Sequence, residues 1–80
     1  MARPVGIVTV RDALRVATTR LADAGIPTPR LDAEVLLAHV LGTRREVLYA
    51  HPERRLEPDE YAAYQAALER RLTRLPVAYI

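Results

Sequence analysis

The chain has 80 residues, half of them hydrophobic and 28% charged, with 12 basic against 10 acidic residues and a net charge of +2. That length supports one small core and excludes separate cofactor and substrate lobes. The absence of cysteine excludes disulfide staples and thiolate chemistry, so the apolar core must suffice.

Residues 1–8 carry Pro4 and Gly6 without any period and read as a loose arm. Thr9 is a good N-cap, and Asp12 three residues on completes a capping-box pattern. Val10, Ala13, Leu14, Ala17, Leu21 and Ala24 then recur at helical spacing, which predicts a first helix over Val10–Ala24 ended by Gly25. Ile26 and Pro27 make the turn. Thr28 is the next cap and Pro29 takes the first helical position, where a missing N–H does no harm. The second helix runs from Pro29 to Leu41 and stops at Gly42. Its apolar side chains point almost all round, which predicts a buried central hub with Leu31, Val35, Leu36 and Leu41 in the core. Asp32 and His39 share one polar strip, read as solvated, and Arg30 and Glu34 share another.

Thr43 caps a short third helix, with Glu46 completing a capping box and Val47, Leu48 and Ala50 as its apolar content. Pro52 pushes His51 out of the helical region and ends it. Residues 51–57 read as a polar connection. Pro58, Asp59 and Glu60 open a fourth helix whose stripe is Tyr61, Tyr64, Leu68, Leu72 and Leu75, with Arg70, Arg71 and Arg74 near its end. Pro76 stops it. Val77 to Ile80 then reads as the first half of a strand with no partner, either a tail folded onto the bundle or, the favoured reading, the point where a second domain begins. The expected fold is all-α: a small four-helix bundle over residues 9–75, with room for a short fifth segment, and residues 76–80 as the start of a linker.

Catalytic material is scarce. Serine and cysteine nucleophiles are absent, and Thr18 and Thr19 lie mid-helix, where a hydroxyl usually satisfies a backbone carbonyl. His39 and His51 show no metal-ligand spacing, so no metal is expected. Gly6, Gly25 and Gly42 are too scattered for a phosphate or dinucleotide loop. No apolar run approaches the ~20 residues of a membrane helix. Val5 to Val10 is too short for a signal-peptide core, leaving the cytoplasm as the default location. All 12 basic residues are arginine. The pairs Arg44/Arg45, Arg54/Arg55 and Arg70/Arg71 read either as solvated surface or as a basic rim for an acidic or RNA-bound partner. A helix-turn-helix reading would place Arg44 and Arg45 at the start of a recognition helix, but that helix is only about two turns long. A free-standing interaction module is the remaining alternative. A small helical enzyme of the chorismate mutase kind needs longer helices than Gly25-Ile26-Pro27 permits.

Three segments carry a resemblance. They are Leu21-Ala22-Asp23-Ala24-Gly25-Ile26, the run Pro29-Arg30-Leu31-Asp32-Ala33-Glu34-Val35-Leu36-Leu37-Ala38-His39-Val40-Leu41-Gly42, and Arg70-Arg71 followed by Leu75-Pro76-Val77-Ala78-Tyr79-Ile80. Their order and spacing resemble the N-terminal domain of the peptide chain release factor glutamine methyltransferases (the HemK/PrmC type), over about residues 9–80. The resemblance implies a helical domain joined to a Rossmann-like catalytic domain that uses S-adenosylmethionine. The methyl acceptor would be the glutamine of the Gly-Gly-Gln motif in class I bacterial release factors, and the helical domain would help bind the factor. The family's Asn-Pro-Pro-Tyr motif cannot be present in a chain without asparagine, and its glycine-rich loop is missing too. No catalytic, cofactor-binding or metal residue is therefore assigned. The candidate partner-facing residues are Arg30, Asp32, Arg44, Arg45, Arg54 and Arg55, with anchoring of the first interhelical turn as the competing role for Arg30 and Asp32.

Overall fold

The computed structural model describes residues 8–73. They form four helices: α1 (Val10–Asp23), α2 (Pro29–Leu41), α3 (Arg45–Ala50) and α4 (Pro58–Thr73). The all-α expectation holds, and α2 packs against each of the other three helices. The expectations for residues 1–7, for the end of the fourth helix and for the strand-like tail lie outside the described residues.

The start of α1 shows why so short a chain has a firm edge. The first four N–H groups of a helix have no internal partner. Here the Val10 N–H donates to Arg54 O at 2.8 Å and the Arg11 N–H to Pro52 O at 2.9 Å. The Asp12 N–H donates to Thr9 Oγ1 at 3.2 Å. The Asp12 carboxylate turns to Arg15, at 3.3 Å. The Leu56 N–H donates to Val8 O at 2.8 Å, beside an isolated antiparallel bridge between Thr9 and Arg55. Val8 is thus tied down, where a loose arm was expected. The 51–57 connection is not polar throughout either: Leu56 is buried because it plugs the core beneath this bridge.

Both glycines close helices. Gly25 has φ +86°, with its N–H on Ala22 O and the Ile26 N–H on Leu21 O. Gly42 has φ +67°, with its N–H on His39 O and the Thr43 N–H on Ala38 O. Each pair of bonds is a Schellman closure, which needs the left-handed conformation that glycine adopts without strain. The second closure corrects the third helix. Thr43 is occupied in ending α2, so α3 begins at Arg45 with Arg44 at the cap position and no side-chain cap. Thr28 stands at the α2 cap position without capping it; its hydroxyl donates to Asp32 Oδ1 at 2.8 Å instead. Glu57 precedes α4, and Glu60 reaches back to accept its N–H at 2.9 Å.

The core joins Val10, Ala13, Leu14, Ala17 and Leu21 of α1 to Ala33, Leu37 and Ala38 of α2, Leu48 of α3, and Tyr64 and Leu68 of α4. Ile26 and Leu56 seal it from the loops. Tyr64 is fully buried, and its hydroxyl donates to Ala33 O at 2.8 Å. Burial pushes its phenol pKa up. Thr19 donates to Arg15 O as expected, but the buried Thr18 hydroxyl finds no partner among the described residues.

Two core assignments are corrected. Leu31 and Val35 are 42% and 48% exposed, and Leu36 and Leu41 are half-buried. The side of α2 that faces the other helices is Ala33, Glu34, Leu37 and Ala38. Three neighbours cannot enclose a helix on every side, so the stripe Leu31–Val35–His39 remains in water. Tyr61, one turn before the buried Tyr64, is also exposed.

Candidate partner-docking surface

Among the described residues Glu34 is the one charged residue that is buried, 2% exposed. Its Oε2 accepts from Arg30 Nε at 2.8 Å. Its Oε1 accepts from Arg45 Nε and Nη2, at 3.2 and 3.0 Å, and from the Tyr49 hydroxyl at 2.6 Å. Burial would raise its pKa, but the Tyr49, Arg30 and Arg45 hydrogen bonds prevail and hold it below the usual carboxylate range. A carboxylate so enclosed is tolerated because both of its oxygens accept from donors, three of the four bonds coming from arginine. The arrangement pins α3 to α2.

Further ion pairs join elements far apart in sequence. Arg71 Nε and Nη2 grip Asp32 Oδ2 at 3.1 and 3.0 Å, joining α4 to α2. Arg20 bridges α1 to α4 through Glu69 at 2.7 Å and Gln65 at 3.2 Å. Arg54 holds Glu60 with two bonds of 3.1 Å, and these together with the Glu57 N–H lower the Glu60 pKa.

Four of the six candidate residues therefore have partners within the chain: Arg30 and Arg45 on Glu34, Asp32 on Arg71 and Thr28, and Arg54 on Glu60. Arg30 and Arg45 are brought together; Asp32 belongs to a different seam, and the strip it shares with His39 is not simply solvated. Arg44 and Arg55 are exposed and make no ion pair among the described residues. The recognition-helix reading loses its material, since α3 has six residues and Arg45 faces Glu34. Among the described residues no group of acidic or histidine side chains could hold a metal, and no helix is long and apolar enough to cross a membrane.

The surface that sequence reasoning missed is the outer seam between α2 and α4. Leu31, Asp32, Val35, Leu36 and Arg71 line one hollow of about 240 Å³. Leu36, His39, Ala67, Arg70 and Arg71 line a second of about 230 Å³. Leu36 and Arg71 belong to both, so the two make one groove with an apolar floor and a basic edge. Arg71 is neutralised by Asp32, while Arg70 makes no ion pair among the described residues. The signal was present in the i, i+4, i+8 spacing of Leu31, Val35 and His39, which sets two aliphatic side chains in line with an imidazole.

Comparison with known proteins decides what carries this surface. Residues 12–80 match the family described as PrmC N-terminal domain. The chain belongs to that family. It is 39% identical over 71 residues to the release factor glutamine methyltransferase of Deinococcus radiodurans, covering 89% of this chain and 26% of the relative. With the enzyme of the same name from Vibrio cholerae it shares 42% over 73 residues, covering 91% and 26%. A bifunctional methyltransferase of Rickettsia bellii is 38% identical over 72 residues, covering 90% and 13%. The chain thus spans about a quarter or less of the curated relatives it matches. No solved structure gives a significant match.

Proposed function

We propose that this chain is the release-factor-recognition domain of a cytoplasmic protein-glutamine methyltransferase. The observation that carries the reading is the family match over residues 12–80, supported by relatives named release factor glutamine methyltransferase. The larger protein would transfer a methyl group from S-adenosylmethionine to the side-chain amide nitrogen of the glutamine in the Gly-Gly-Gln motif of a class I release factor. This helical domain would bind the factor and hold that glutamine at the catalytic domain. The described residues do not fit S-adenosylmethionine themselves, because Gly25 and Gly42 each close a helix and neither can cradle a cofactor. Arg44 and Arg55 are the candidates best placed to meet the factor, since their guanidinium groups are not engaged within the described fold.

Titration of a bacterial class I release factor against the full-length enzyme and a version lacking residues 1–73 tests this. Weaker binding and slower methylation by the truncated enzyme are expected. Equal affinity and equal rate overturn the recognition role.

A further inference from the structure

The groove between α2 and α4 calls for an occupant. Leu31 and Val35 stand about half exposed in line along α2, with Leu36 beside them and Arg70 and His39 at the edge. Two features of the molecule say what covers them.

One is scale. A stable complex between free proteins engages about 20–30 residues a side. A floor of three aliphatic side chains is far short of that. It suits the smaller, more polar contacts between domains of one chain, where the partner is tethered and present at roughly millimolar effective concentration.

The other is position. Arg70 and Arg71 line the groove, and Thr73, the last described residue, stands two positions later on α4. The curated relatives are about four times as long as the region matched here, and the family matched is described as an N-terminal domain. The described fold therefore hands the chain on beside this groove.

We infer that the α2–α4 groove seats the catalytic domain of the full-length protein. The facing surface carries an apolar ridge that fills the space over Leu31, Val35 and Leu36. It also carries a carboxylate that meets Arg70, the cation there without an ion pair in the described fold. The contact would hold the recognition domain at a fixed distance from the methyl-transfer site, so that a factor bound on one is aligned with the other. This rests on the reading above that a catalytic domain follows.

The test uses the full-length protein with Leu31→Glu and Val35→Glu combined, and separately Arg70→Glu. All three sites are exposed, so the fold survives, which a thermal melt of the isolated recognition core's transition verifies. Each variant is scored by tryptic cleavage after Arg74, by the radius of gyration in solution scattering, and by methylation of a short Gly-Gly-Gln peptide. Cleavage about tenfold faster in the double variant is expected, as the lost apolar contact frees the domains. An expanded radius should accompany it, while peptide methylation stays unchanged. Unaltered cleavage and radius in both variants overturn the inference. So does loss of release-factor affinity with unaltered cleavage and radius, which would assign the groove to the factor instead. Truncation of the whole domain without effect on release-factor binding would sink the recognition role but leave the scattering result standing.

Discussion

The two sides of α2 reverse the usual rule. On the inner side a carboxylate, Glu34, is sealed in the core; on the outer side Leu31 and Val35 stand in water. Hydropathy alone would exchange them. What differs is the company each side keeps. α3 delivers Arg45 and Tyr49 to Glu34, and Arg30 arrives from one turn earlier on α2. The buried charge therefore has donors that replace its water. Leu31 and Val35 face the groove that Arg71 of α4 lines, and both stay about half exposed among the described residues. Burial along this helix is set by which neighbour reaches a position, not by the residue's own preference.

The contrast can be broken most forcefully at Leu37. It is fully buried on the inner side, so Leu37→Ala should cost about 2–5 kcal/mol through lost transfer energy and a residual cavity. Leu36→Ala, at the half-buried lip of the groove, should cost clearly less. Chemical denaturation of the two variants measures the difference, and equal losses would mean that the two sides are not distinct.

Glu34→Gln should cost about 1.5–3 kcal/mol, the range for hydrogen bonds to a charged group. It carries a pH signature with a definite sign. The Glu34 pKa is lower in the folded chain than in the unfolded one, so its contribution is fully present above an unfolded pKa of about 4.3. It is lost as pH falls through the folded value. The wild-type melting temperature should thus drop more steeply than that of Glu34→Gln below about pH 4. Parallel curves would show that the carboxylate gains nothing from its donors. Glu60, shifted in the same direction, contributes to both proteins alike.

On the outer side the expected effect is smallest. Val35→Thr and Leu31→Gln should each change the stability of the helical domain by about 0.5 kcal/mol or less, as surface substitutions do. A larger loss would place these residues in the domain's own core.

Local signals in the sequence located the helices well. Thr9 and Gly42 act through hydrogen bonds to near neighbours, Pro29 and Pro58 through a fixed φ that suits the first helical position, and the structure keeps all four boundaries. Thr43 misled because a short motif can serve two helices, and the closure of α2 claimed it first. The interhelical pairs were not legible. Asp32 and Arg71 are 39 positions apart, and no periodicity links them. Glu34 looked like surface because a charged side chain at helical spacing on a polar strip usually is. The outer groove was hidden by the same apolar pattern that correctly identified α2 as the hub. An all-round apolar helix says that it has many contacts, but not whether all of them lie within the same domain.

The short bridge between residues 8–10 and 54–56 has a consequence for how this edge breathes. Chain segments near an end commonly fray, and their amides exchange with solvent early. Here the Val10 and Leu56 N–H groups are each held at 2.8 Å by a carbonyl about 45 positions away, above the buried Val10 and Leu56 side chains. Freeing either one means lifting the loop from the core. Their deuterium uptake should therefore follow that of Leu37 and Leu68 at the centre, and α1 should lose its first turn only when the whole bundle opens.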